Sequence, residues 1–321
     1  MAETLQDALA RTDDRTPRER LMAALRSRTA LGVALFLTLV VFWLLGRYQG
    51  ASFSELLSLT VWGVMLGGII ALGAIGLTLV YGVLKFPNFA HGELVTLGAY
   101  GALTFAAVLP AGPAMRPFSF GWELLAGLIL SMPIVSFIAL AVDRVLFRPL
   151  RLRMASLVLF AMASLAAAFF LRSAIYLVWG SDFLFYYPGR ANPALDLPLG
   201  IRVQADQIFV FLLATVLVIL TWLLLERTRM GKAMRATANN PDLAQVRGIN
   251  TERVIAWTWI LGACLAAAGG VMYGLASQLR PEMGFWLLLP MFAAAIVGGL
   301  GNPIGAIVGA VIIGVAQQVS S

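Results

Sequence analysis

His91 and Glu93 stand two residues apart in Pro87-Asn88-Phe89-Ala90-His91-Gly92-Glu93-Leu94, the stretch that holds the chain's one histidine. An imidazole beside a carboxylate can bind a metal or relay a proton. His-x-Glu is half of the zinc deaminase signature, but the Pro-Cys-x-x-Cys half cannot be built from a single cysteine, Cys264. One histidine also excludes a His-x-x-x-His zinc site. No Walker A pattern is present: Gly231-Lys232 is followed by alanine and lacks the upstream glycine, so no P-loop binds nucleotide here. The cluster Gly298-Gly299-Leu300-Gly301-Asn302-Pro303-Ile304-Gly305 fails as a dinucleotide fingerprint on its spacing and its proline. A membrane enzyme would need a third group beside His91 and Glu93, and the sequence supplies none.

The elements that position these residues follow from composition. Of 321 residues, 60% are hydrophobic and 12% charged, and the mean hydropathy is +0.87. A soluble domain is about 45–50% apolar and about 25% charged. The chain therefore reads as an all-α polytopic membrane protein. Its net charge of +7 is a topology signal rather than a nucleic-acid footprint. Cys264 can form no intrachain disulfide and reads as an apolar packing residue.

A crossing needs roughly 20 apolar residues. About eight hydrophobic spans result, over 29–46, 56–84, 89–109, 122–142, 154–179, 207–225, 254–276 and 286–317. The second would reach roughly 44 Å if straight, so it is expected to tilt, kink or break at its glycines. The last is expected to be interrupted by the glycine–proline cluster at 298–305. Arginines crowd 143–153 (Arg144, Arg148, Arg151, Arg153) and basic residues populate 226–253. These loops are two crossings apart and share a side, the cytoplasm by the positive-inside rule. The N-terminus, Lys85 and the 87–93 stretch then fall on that side too. The connection 180–206 falls outside, and Arg172 near the outer end of its span is expected to snorkel to the headgroups. Residues 1–28 read as a cytoplasmic extension and 29–59 as an extra N-terminal span with its external connection.

Segment 226–253, "ERTRMGKAMRATANNPDLAQVRGINTER", holds a helix with a start and a stop. Asn240 is the expected N-cap, Pro241 the first helical residue and Asp242 lies in the first turn. Arg247 lies in the last turn and Gly248 at the left-handed terminating position. Leu243, Ala244 and Val246 give it an apolar side. Such a helix either lies on the membrane surface or docks into a partner.

Asp242-Leu243-Ala244-Gln245-Val246-Arg247-Gly248 resembles the Glu-Ala-Ala-x-x-x-Gly loop of ABC-importer permeases, with Asp for Glu and Leu for the first Ala. Residues 76–100 (GLTLVYGVLKFPNFAHGELVTLGAY), 248–274 and 293–314 (AAAIVGGLGNPIGAIVGAVIIG) look like branched-chain amino acid permeases of the LivH type, in the same order. The resemblance covers roughly 60–321 and implies a permease domain there. Members usually carry another hydrophobic segment after the equivalent of Gln317-Ser321, so the C-terminus is expected to be short of it. The resemblance implies a multi-pass protein of the bacterial inner membrane. Its partners would be a LivM-like permease chain, two LivG/LivF-like ATPase subunits and a periplasmic substrate-binding protein. Cofactors would be absent from this chain, with ATP and magnesium on the ATPases. The cargo would be a hydrophobic or branched-chain amino acid, or a related urea or amide. Asn240, Pro241, Asp242, Leu243, Ala244 and Gly248 would couple to the ATPase. Tyr81, Asn88, His91, Glu93, Gly299, Gly301 and Asn302 are the pathway or gate candidates. The alternative is an ATPase-independent channel or secondary transporter for a small neutral solute. The 88–93 polarity reads either as a helix start at the cytoplasmic surface, with Asn88 as N-cap, or as part of the pathway.

Overall fold

The computed structural model describes residues 53–110, 112–188, 194–197 and 201–320, with scattered positions between 40 and 50. The expected extension over 1–28, and all but a few positions of the span over 29–46, lie outside the described residues. In hydrocarbon every backbone N–H and C=O must find a partner within the protein, so the apolar runs fold as helices. They are α1 (Phe53–Leu84), α2 (His91–Val108), α3 (Trp122–Val142), α4 (Arg148–Leu152), α5 (Leu157–Trp179), α6 (Ala205–Arg227), α7 (Arg229–Asn239), α8 (Pro241–Val246), α9 (Thr251–Ala276), α10 (Met283–Gly298) and α11 (Pro303–Val319). An antiparallel hairpin of β1 (Ala194–Leu197) and β2 (Ile201–Gln204) lies between α5 and α6. Among the described residues five helices are long and apolar enough to cross a membrane, beginning at Ser54, Trp122, Leu157, Ala205 and Thr251.

Several expectations are corrected. Of the tilt, kink or break expected over 56–84, the break is excluded: α1 is one helix of 32 residues, about 48 Å long. Its glycines are contact points instead. A Cβ on Gly67 would lie 2.9 Å from the Val311 Cα, and one on Gly76 would lie 2.8 Å from the Gly262 carbonyl oxygen. The segment 286–317 is interrupted as expected, but the chain reverses there: Gly298 meets Gly305 and Ala294 meets Gly309, so α10 and α11 form a hairpin. The arginine-rich 143–153 is not a loop. The helix of α3 continues through a π-turn (Asp143–Phe147) into α4. Arg151 holds Asp143 there with bonds of 2.6 and 3.1 Å. Arg148 pairs with Glu252 at 3.2 Å. That contact puts 143–153 and the start of α9 at one end of the bundle, the end the basic residues mark as cytoplasmic.

The largest departure concerns 85–90. The reading placed 87–93 at the cytoplasmic helix end. Instead the chain turns at Lys85 (φ 60°) and climbs back into the bundle. His91 Nε2 reaches the Gly73 carbonyl oxygen at 2.9 Å, eleven residues and about 16 Å along α1 from its end. An aromatic cluster holds the climb from below: Phe86 lies 4.9 Å from Phe147 and 5.0 Å from Phe160, and Phe147 stacks on Trp259 at 5.4 Å. From the side, the Ser164 hydroxyl accepts the Phe89 N–H at 3.2 Å and lies 3.3 Å from the Pro87 carbonyl.

Small residues set the remaining helix contacts, because lipid supplies no hydrophobic drive between helices. Gly270 of α9 sits against the Val95 carbonyl, closer than any Cβ allows, and Gly92 and Gly284 face each other in the same way. A Cβ on Gly68 would meet only side chains at ordinary contact distance, the Ala214 Cβ at 3.4 Å and the Phe211 ring at 3.9 Å. Gly270→Val is therefore expected to lower the apparent melting temperature of the detergent-solubilised protein, by the 1–3 kcal/mol (about) of an overpacked core. Gly68→Ala is expected to leave it within error. Equal melting temperatures for the two variants would contradict this packing.

Candidate functional site

The polar residues of the 87–94 stretch converge at the start of α2. Asn88, His91 and Glu93 are all buried. Asn88 does not cap α2 as expected: its Oδ1 accepts the Ala90 N–H at 3.1 Å, a turn before the helix, and the N-cap position is Ala90 with no side-chain bond. A carbonyl only accepts, so His91 Nε2 carries the hydrogen in its bond to Gly73. The Nδ1 of the neutral ring is then a bare acceptor.

Glu93 has a partner the sequence reading missed. Arg172 of α5 donates to Glu93 Oε1 through Nε at 3.1 Å and through Nη2. The expected snorkelling of Arg172 does not occur. Its side chain is 16% exposed, and its guanidinium lies 4.6 Å from the centre of the Phe285 ring. One signal was available in the sequence: an arginine inside a span is rare and almost always faces the protein. Burying one charge alone is far costlier than burying a hydrogen-bonded pair, which accounts for the coupling of α2 to α5 here.

Nearby, Thr96 Oγ1 accepts the Gly284 N–H at 3.0 Å, docking α10 on α2. Tyr176 donates to Glu282 Oε2 at 2.9 Å. Among the described residues no hydrogen-bond partner reaches the buried Asn88 Nδ2, His91 Nδ1, Glu93 Oε2 or the Tyr100 hydroxyl. The same residues include no group of three His, Cys, Asp or Glu arranged to hold a metal.

The other pathway candidates lie elsewhere. Gly299 and Gly301 adopt left-handed backbone, with φ of 94° and 86°, and turn the α10–α11 hairpin. Asn302 caps α11 by accepting the Gly305 N–H at 3.2 Å. This turn packs on Gly82, next to Tyr81, whose carbonyl accepts the Lys85 N–H at 2.8 Å. Gly82 is nine residues from Gly73, about 14 Å along α1. The candidates thus form two groups, one central and one near the end that carries the basic segment 226–253. A cavity of about 250 Å³ opens at the second, lined by Thr78, Gly82, Glu226, Arg235, Gly301 and Asn302 among others.

The 226–253 segment carries the helix expected there, and one more. The Asn240 side chain accepts the Leu243 N–H at 2.9 Å, and Pro241 begins α8. At its end Ile249 N–H bonds the Ala244 carbonyl at 3.0 Å and Gly248 N–H the Gln245 carbonyl at 2.9 Å. With Gly248 at φ 81° this is a Schellman stop. Ala244 is buried, whereas Leu243 and Val246 are exposed, and Asp242 also lies on the exposed surface. The unanticipated helix is α7. Thr228 caps it by accepting the Gly231 N–H at 3.0 Å, and Gly231, Met234 and Thr237 are buried beneath it. Arg235 pairs with Glu226 at 3.2 Å and also donates to the Leu225 carbonyl. Through α7 the short α8 is fixed to the membrane helices.

The family model described as "Branched-chain amino acid transport system / permease component" matches residues 59–321. The chain is 32% identical over 266 residues to the high-affinity branched-chain amino acid transport system permease protein LivH of Escherichia coli K12, covering 81% of this chain and 84% of that one. It is 31% identical to BraD of Pseudomonas aeruginosa, a permease protein of the same description, over 79% of this chain and 83% of the relative. Among solved structures, one described as an inward-facing metal-chelate type ABC transporter aligns with TM-score 0.48 and 12% identity, covering 91% of this chain and 88% of that chain. With the family model spanning most of its length, this chain belongs to the family of branched-chain amino acid transport permease components.

Proposed function

We propose that the chain is the membrane permease of an ATP-driven importer in the bacterial inner membrane, moving a branched-chain or related hydrophobic amino acid. Residues 60–321 form the permease domain in this reading, preceded by an extra N-terminal span and its external connection over 29–59, whose last residues, 53–59, already belong to α1, and by the extension over 1–28. A second, LivM-like permease completes the path, two LivG/LivF-like ATPases supply ATP and magnesium from the cytoplasm, and a periplasmic binding protein delivers cargo. The chain itself carries no ATPase site and needs no cofactor.

One observation carries the reading. The helix α8 is capped at both ends, is fixed through α7 to α1 and α6, and leaves Leu243 and Val246 exposed. A connection between two spans needs no such helix. An apolar pair on a rigid mount fits the helix-in-groove mode of docking, with Asn240, Pro241, Asp242, Leu243, Ala244 and Gly248 building the contact. Movement of the ATPases then reaches the membrane helices through α7.

At the centre, Asn88, His91 and Glu93 hold the re-entering chain against α1 and α5, and we assign Glu93 to the pathway wall as well. Tyr81, Gly299, Gly301 and Asn302 form the cytoplasmic gate around the cavity beside Gly82.

Gly248→Val forces a β-branched residue into left-handed backbone, at a cost of about 1–2 kcal/mol. It is expected to abolish uptake by the reconstituted complex and weaken co-purification of the ATPases, while membrane insertion persists. Normal co-purification and uptake, or solute passage through the purified chain alone in liposomes, would overturn the importer reading. For the central pair, Glu93→Gln alone leaves Arg172 without its counter-charge and is expected to reduce the folded yield, on the 3–5 kcal/mol (about) scale of a broken buried pair. Adding Arg172→Met is expected to restore yield but not uptake. Restored uptake in the double variant would confine the pair to a structural role.

A further inference from the structure

The polar groups between α2, α5 and the start of α10 exceed what holding those helices together requires. The Glu93–Arg172 pair alone would tie α2 to α5. Yet Tyr176, one turn beyond Arg172, bonds Glu282, and the buried Tyr100, whose ring lies 5.3 Å from that of Trp179 on α5, has no hydrogen-bond partner for its hydroxyl among the described residues. Glu93 Oε2 is likewise buried and unpartnered. Arg172 spends two of its five N–H donors on Glu93. Glu93 answers the charge of Arg172, whereas Glu282 is bonded by the neutral Tyr176 hydroxyl, which leaves its carboxylate available to a cation.

This cluster is not sealed inside the bundle. Tyr176, Phe169 and Phe285 are exposed at 39%, 56% and 46%, on a face of α5 and α10 that no described element covers. A face that fronts only lipid is a costly place for the charge of Arg172, since a charged side chain at the centre of a span costs about 2.5–3.5 kcal/mol or more. Charged side chains inside spans turn to the bundle interior or to a water-filled cavity, and the uncovered face beside Arg172 fits the second.

We propose that this cluster is where the permease reads the two charged ends of a zwitterionic amino acid. Glu282, with the Tyr100 and Tyr176 hydroxyls, receives the α-ammonium group. The free N–H donors of Arg172 receive the α-carboxylate, while Glu93 holds the guanidinium in place. The rings of Phe169 and Phe285, which already flank Arg172 at 5.8 and 4.6 Å, offer an apolar side chain its wall. The assignment rests on the amino-acid importer reading and adds the residues that would select for charge at both ends of the cargo.

The test uses the complete transporter in proteoliposomes with binding protein, ATP and L-leucine. Cys264→Ala removes the one native thiol, and Ser136 keeps its carbonyl partners Met132 and Ile260 at 2.8 and 3.2 Å. On that background, Ser173→Cys, a small exposed residue of α5 beside Arg172 with no part in the assignment, is treated with a small cationic methanethiosulfonate. Modification is expected to block leucine uptake, and leucine under turnover to slow modification several-fold. In a second variant, Glu282→Gln is expected to lower leucine uptake about tenfold, the scale of one charged hydrogen bond, with the ATPases still co-purifying. A thiol at 173 that does not react, a modification rate indifferent to leucine, or parental uptake by Glu282→Gln would each overturn the assignment. A Cys264→Ala parent that takes up no leucine with ATP present would overturn the importer reading, and this assignment with it.

Discussion

An apolar helix in hydrocarbon gains nothing by touching another apolar helix, since lipid tails serve it equally well. Cohesion depends instead on how closely two backbones approach, and this bundle is organised around such approaches. Gly76 meets Gly262, Gly92 meets Gly284, and Gly63 and Gly67 meet the backbone of α11 at Val315 and Val311. Each bare Cα brings helices near enough for dispersion and for polar bonds to act. The His91–Gly73 bond exists because α1 and the start of α2 come so close at Gly76, where an added Cβ would sit 2.9 Å from the imidazole Cε1.

The re-entry of residues 85–90 follows from the same constraint. A non-helical segment at membrane depth survives only if protein satisfies its backbone. Here Ser164, the Asn88 side chain and the Tyr81 carbonyl do so, and Phe86, Phe147, Phe160 and Trp259 fill the space beneath. The polar stretch is therefore part of the bundle's interior, and its one strong charge is neutralised there by Arg172.

Local features were legible in the sequence because their causes are local. The Asn240 cap, Pro241 and the Gly248 stop lie within nine residues of one another, and the structure reproduces each. The break at 298–305 was legible as a break, because proline and glycine act on their own backbone. Its reversal into a hairpin was not, since that depends on Gly298 and Gly305 approaching each other. The Glu93–Arg172 pair joins residues 79 apart, and nothing in either neighbourhood points to the other. The arginines of 143–153 drew attention to which end of the bundle they mark and hid the helix they sit on, because a charge signals position more strongly than conformation. The helix α7 was missed for a related reason: its cap, Thr228, stands in a run of basic residues that reads as a connection.

That helix has a mechanical consequence. Gly231 sits against the Leu224 and Leu225 carbonyls, too close for any side chain, and Arg235 ties back to Glu226 and Leu225. The joint between α6 and α7 therefore has no slack. A push on α8 cannot be absorbed by bending the connection, so it must arrive at α1 and α6 as a lever stroke. With the cavity beside Gly82 bounded by α1, α6, α7 and the α10–α11 turn, the fulcrum of that lever forms one wall of the chamber whose width it would change.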